Sequence, residues 1–173
     1  RSLFMIRIYL TNLGKYNEGY LIGEWVDLPI SNEELQKVFV RIGINEQYEE
    51  YFITDYETDL DGIEIGEYSN LENLNEIAET LESLDDDEKE VVNAIMSEGY
   101  NLEEALEKKE DCMVYCDCSD MEDVAREYAE QTGLLDSIPE NLQSYFDYEA
   151  YGIDMSYEGH FVFTNNGNCV QIL

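Results

Sequence analysis

The chain has 173 residues, with 41 Asp and Glu against 9 Lys and Arg, and a formal net charge of −32. Self-repulsion at this level opposes compaction, so the charge speaks to partners more than to fold: a positively charged partner is the first expectation, and direct nucleic-acid binding is disfavoured. A disordered acidic tail is excluded by the 44% hydrophobic composition with 14 Tyr and 6 Phe, and no apolar run is long enough for a membrane-spanning helix.

Arg1-Ser2-Leu3-Phe4 stands ahead of Met5 and does not read as a signal peptide, so a cytoplasmic protein is expected. Leu3 to Leu10 and Tyr20 to Val26 read as strands of a long hairpin with a Gly14 to Gly19 loop between them. Ser31 with Glu34 makes a capping box, and Leu35, Val38, Phe39 and Ile42 follow at helical spacing. Tyr51 to Thr54 closes this first unit as a strand. From Glu67 to Glu110 the pattern is helical only. Ser69 with Glu72 precedes Leu71, Leu74, Ile77, Ala78 and Leu81; Asp85 with Glu88 opens a segment carrying Val91, Val92, Ile95 and Met96; Gly99 ends it, and Asn101 caps a short helix through Leu106.

Beyond residue 110 the pattern is mixed again. Cys112, Cys116 and Cys118 alternate along one expected strand, a helix runs from Asp120 to Thr132 and stops at Gly133, and another starts near Pro139. His160 to Thr164 and Cys169 to Leu173 form a terminal hairpin, where Asn166-Gly167 suits a two-residue primed turn. The expected fold is α+β, an elongated three-domain chain. Two small mixed antiparallel-sheet/helix domains, 1–66 and 111–173, flank an all-helical middle domain, 67–110.

The acids are placed unevenly. Residues 67–110 hold 15 acids and 3 bases, and residues 111–173 hold 13 and 1. On a helix, positions three or four apart share a face, so Glu72, Glu76, Glu79 and Glu82 fall in one stripe opposite Leu74, Ile77 and Leu81. Asp120, Asp123, Glu127 and Glu130 form a second stripe away from Val124, Ala125 and Tyr128. Each stripe rises ~15 Å with a charge every ~5 Å, a scale close to the ~3.4 Å phosphate rise of one DNA strand. At one charge per ~1.7 Å, 32 charges match roughly 54 Å of duplex, more than the ~40 Å diameter of a compact chain of this length. These eight acids are the expected partner-binding surface. The alternative is a halophilic or cation-tolerant structural protein, which explains acidity without explaining its placement.

No enzyme, cofactor or metal is expected. The lone His160 has no obvious nucleophilic partner, the cysteines lack zinc-site spacing, and the loop from Glu57 through Asp59, Asp61 and Gly62 has Tyr68 where a calcium loop needs its closing Glu. The stretch from Tyr145 to Met155 packs Tyr145, Phe146, Tyr148, Tyr151 and Met155 into eleven residues. It reads either as a core helix or as a self-association surface.

The chain resembles the ArdA-type antirestriction proteins carried by conjugative plasmids and transposons. The resemblance rests on Ile8-Tyr9-Leu10-Thr11-Asn12-Leu13-Gly14-Lys15-Tyr16-Asn17-Glu18-Gly19 with Gly23-Glu24-Trp25 and Pro29, and on Leu134-Leu135-Asp136-Ser137-Ile138-Pro139 through Tyr145-Phe146-Asp147-Tyr148-Glu149-Ala150-Tyr151-Gly152-Ile153-Asp154-Met155. It implies a DNA mimic, without catalysis, that binds the methyltransferase core of type I restriction-modification enzymes and protects incoming DNA from restriction. It also implies an elongated homodimer whose interface holds the antirestriction motif, with Tyr145, Phe146, Asp147, Tyr148, Glu149, Tyr151, Asp154 and Met155. Ile153 stands where related chains often carry Arg, so this chain lacks any ion pair from that position.

Overall fold

A computed structural model describes residues 5–173; Arg1 to Phe4, including the expected strand start at Leu3, lie outside the described residues. The chain divides between Lys89 and Glu90 into two compact units. Each contains a three-stranded antiparallel sheet. Among the described residues no helix is long and apolar enough to cross a membrane.

In the first unit, β1 (Ile6–Asn12) lies between β2 (Gly23–Leu28) and β3 (Tyr51–Thr58). Its side chains alternate as a half-covered strand requires: Ile6, Ile8 and Leu10 are buried, while Arg7 and Tyr9 stay partly open. The expected Gly14 to Gly19 loop contains a short helix, α1 (Leu13–Asn17). Asn12 explains it. Its side chain accepts the Lys15 N–H at 3.0 Å, capping α1, and donates to the Ile42 carbonyl at 3.0 Å, fixing the end of α2 (Asn32–Arg41) beside β1. Because α1 and the turn at Gly19 (φ +94°) take up the intervening chain, pairing with β1 begins at Gly23 and not at Tyr20. Ser31 caps α2, accepting from the Glu34 N–H at 3.2 Å, and Val38 and Ile42 are buried.

Helix α3 (Leu71–Ser83) is capped one residue later than its sequence signal. Asn70 accepts the Asn73 N–H at 3.1 Å, and the Ser69 hydroxyl instead accepts the Gly66 N–H at 2.7 Å. Leu71, Leu74, Ala78 and Leu81 make its buried stripe. Asn75 fastens it to the chain after β2, accepting from the Ile30 N–H at 2.7 Å and donating to the Ile30 carbonyl at 3.1 Å.

Helix α4 (Asp86–Ser97) crosses the division between the units and is buried at every position from Lys89 to Met96. Gly99 (φ +98°) follows it, and Asn101 and Glu104 cap α5 (Leu102–Lys108) reciprocally, both bonds at 2.9 Å. In the second sheet, β6 (Cys169–Ile172) lies between β4 (Met113–Tyr115) and β5 (His160–Phe163). The expected cysteine strand is cut short because Asp117 adopts φ +55°, which no strand accommodates. Cys116 is therefore exposed, while Cys118 and Cys169 join Tyr115 and Val124 in the core. Burial pushes these two thiols up to about 11 and about 12, so both are neutral core side chains.

The terminal hairpin differs from the primed turn expected of Asn166-Gly167. Thr164 N–H bonds the Asn168 carbonyl at 2.9 Å around a three-residue loop in which Gly167 alone has positive φ, +79°. A type I′ turn needs positive φ at both central residues, whereas a three-residue loop needs one left-handed position at its end. The buried Glu90 carboxylate secures this loop, accepting from the Thr164 hydroxyl and from Asn168 Nδ2 at 3.0 and 3.2 Å.

The helix expected near Pro139 is two helices. Helix α7 (Glu140–Gln143) is one turn, and α8 (Tyr148–Glu158) starts afresh where the Asp147 carboxylate accepts the Ala150 N–H at 3.0 Å. Helix α8 packs against α6 (Met121–Thr132), which is capped by Asp120 and closed by Gly133 at φ +68°.

Candidate partner-binding surface

The apolar stripe of α3 decides where its acids go. With Leu74, Ala78 and Leu81 turned inward, Glu72, Glu76, Glu79 and Glu82 are all exposed. Glu79 alone takes a side-chain hydrogen bond, from Asn75 Nδ2 at 3.3 Å. Glu72 lies in the favourable first turn, but Glu82 sits at the carbonyl end of the helix, where the macrodipole disfavours an anion. The same pattern recurs: α3, α4, α6 and α8, all longer than ten residues, have no base in the last turn.

The second stripe is a different object. Asp120 is the N-cap of α6, accepting the Asp123 N–H at 2.9 Å, and Asp123 accepts from the Ser119 N–H and hydroxyl at 3.1 and 3.2 Å. Glu127 accepts from Gln131 at 2.9 Å. Asp120 and Glu130 are exposed, whereas Asp123 and Glu127 are half-buried. Half of this row therefore builds its own helix as well as presenting charge.

The aromatic motif is split between inside and outside. The Phe146 ring lies 5.0 Å from Tyr148 and 5.5 Å from Tyr151, Tyr151 lies 6.3 Å from Tyr128 on α6, and Met155 packs on the cysteine core. Arg126 covers the Tyr148 ring at 4.4 Å and donates to Glu122 at 2.8 Å. Outward, Tyr145 is 83% exposed, Ile153 47% and Tyr157 82%, with Asp147, Glu149 and Asp154 also exposed. Tyr157 was missed in the sequence because it lies beyond the motif; its i+4 relation to Ile153 on one helix face is the signal that finds it.

His160 sits at the start of β5 with Nε2 at 2.9 Å from Glu98. Among the described residues no three His, Cys, Asp or Glu side chains gather as a metal site.

These features define an acidic α+β protein whose surface helices carry rows of carboxylates and whose last long helix holds an aromatic motif. The chain belongs to the antirestriction protein family: the family model described as Antirestriction protein (ArdA) matches residues 8–170, nearly the whole chain. No curated protein matches it.

Proposed function

We propose that this antirestriction protein works as a DNA mimic, without catalysis. It occupies the DNA-binding cleft of type I restriction-modification enzymes at their methyltransferase core, in the cytoplasm where incoming plasmid or transposon DNA meets them. The observation that carries this reading is the exposed Glu72, Glu76, Glu79 and Glu82 row on a helix whose carbonyl end has no base. Like charges three or four apart cost a few tenths of a kcal/mol per pair and an anion at the carbonyl end adds to that, so stability does not favour the arrangement. Recognition by a basic cleft does. The three segments 1–66, 67–110 and 111–173 each present acids to the partner in this reading.

Competition tests it. In gel filtration with a type I methyltransferase core and duplex DNA, the protein is expected to displace DNA at low salt, with affinity falling steeply as salt rises. Co-elution of DNA with the enzyme at saturating protein, at both salt concentrations, overturns the proposal. A protein that folds only in molar salt would support halophily instead.

The same reading takes the chain as a homodimer through the outward side of α8 and of the residues just ahead of it, Tyr145 included. Tyr145→Ala with Tyr157→Ala is expected to shift the sedimenting mass toward the monomer at micromolar concentration while leaving the melting temperature unchanged. Tyr148→Ala with Tyr151→Ala, by contrast, removes inward contacts to α6 and lowers stability first. An unchanged mass for the outward pair excludes that face.

A further inference from the structure

The open face of the first sheet carries a second kind of anionic feature, unrelated to the helical stripes. Across its three strands, Asp27, Arg7 and Glu57 stand in register, and in the next row but one stand Trp25, Tyr9 and Asp55. In the first of these rows one guanidinium is already held by a ring and two carboxylates: Arg7 lies 5.0 Å from the Trp25 ring centroid, 3.1 Å from Asp27 and 3.7 Å from Glu57. The second row shares Trp25 with that guanidinium and adds the Tyr9 ring and the exposed Asp55 carboxylate. Tyr9, Tyr16, Trp25 and Phe52 line an open cleft of about 460 Å³, with Asp55 and Glu67 on its wall.

The walls are fixed in advance. Tyr9 donates its hydroxyl to the Gly23 carbonyl at 3.1 Å and meets Trp25 edge-on at 5.4 Å, and Tyr16 meets Phe52 edge-on at 5.1 Å. Gly23 is required beside it, since a Cβ there would clash with the Leu10 carbonyl and lie 2.8 Å from the Tyr9 ring. Asp55 and Glu67 are exposed, and Asp55 accepts only its neighbour's backbone N–H, from Tyr56 at 2.8 Å. Aromatic faces attract a cation through their quadrupole, and the planar guanidinium both stacks on rings and donates to two carboxylates from its rigid fork of N–H groups, which an ammonium lacks.

We propose that this cleft is a binding site for a guanidinium group, and that Asp55 and Glu67 select it over an ammonium. The proposal stands on the first unit alone and does not depend on DNA mimicry. Trp25 is the single tryptophan of the chain, so its fluorescence reads the cleft directly. Titration with Nα-acetyl-arginine amide should give a saturable Trp25 signal, with Nα-acetyl-lysine amide at least about fivefold weaker, in line with a cation–π and bidentate preference for arginine. Asp55→Asn with Glu67→Gln should weaken arginine binding about tenfold or more, the scale of losing one charge-assisted hydrogen bond. Glu103→Gln with Glu107→Gln, exposed acids of the second unit, should leave it unchanged. An arginine-containing peptide binding more tightly than the free amide marks a protein side chain as the natural source; equal binding marks a free guanidinium compound. A signal that does not saturate, that is equal for lysine, or that survives in the Asp55/Glu67 variant overturns the site and leaves only unspecific attraction to an acidic surface.

Discussion

Replacing Gly152 by Ala is expected to lower the melting temperature of the second unit by roughly 10 °C. Two effects oppose each other here. Within α8, Ala is a better helix former than Gly by about 1 kcal/mol, which on its own predicts stabilisation. Against this, a Cβ at Gly152 would lie 2.7 Å from the carbonyl carbon of Met121 and closer still to its oxygen, with the Glu122 nitrogen at 3.2 Å. All three atoms are backbone in the first turn of α6, so no side chain can rotate away and the two helices must separate. Overpacking of this kind costs about 3 kcal/mol, leaving a net loss of about 2 kcal/mol. Thermal unfolding should show it, with amide exchange accelerated at Val124 and Val170. Trp25 fluorescence, which reads the first unit, separates a local effect from a global one. A melting temperature that holds or rises would mean that α8 does not approach α6 this closely.

That close approach was not legible in the sequence, and the contrast with what was legible is instructive. Signals that act within one turn of chain are legible: Ser31, Asn101 and Gly133 each cap the helix they are expected to cap. Where two local signals competed, sequence reasoning had no way to choose. Ser69 with Glu72 and Asn70 with Asn73 both fit an N-cap, and a local turn, in which the Gly66 N–H donates to the Ser69 hydroxyl, leaves the cap to Asn70. The cysteine alternation looked like a strand because period two is a statement about side chains, and it carries no information about the backbone at Asp117 that ends the extended run. Helix α1 is five residues, too short to show a period, and depends on the buried Asn12 that also binds Ile42 thirty residues away.

The candidate surface was legible to the same degree. Helical spacing put Glu72, Glu76, Glu79 and Glu82 on the exposed side of α3 because Leu74, Ala78 and Leu81 leave them no other side. The same spacing could not show that Asp120 caps α6 and that Asp123 accepts from Ser119, since a cap and a free carboxylate look alike in sequence. The cleft around Trp25 gathers residues from Tyr9 to Glu67 across three strands, and only strand pairing brings them together.

The distinction between the two acidic rows leads to the sharpest functional expectation. Changing Glu72, Glu76, Glu79 and Glu82 together to Gln removes three like-charge neighbour pairs at i,i+3 or i,i+4 and relieves the anions near the carbonyl end of α3, so the helix should gain about 1 kcal/mol. If the row serves recognition, inhibition of a type I restriction enzyme should weaken at the same time. At about 0.5 kcal/mol for each exposed charge pair lost, the four together amount to a weakening of about 30-fold, with a shallower dependence on salt. Stability and inhibition thus move in opposite directions, which no unfolding artefact can imitate. Changing Asp120 and Asp123 to Ala should do the reverse in part, since Asp123 holds the Ser119 N–H and hydroxyl and Asp120 the Asp123 N–H: the cap is lost, and stability falls along with inhibition. Unchanged inhibition in the four-Gln variant, with the helix intact by circular dichroism, would take α3 out of the binding surface and leave the other acids to carry it.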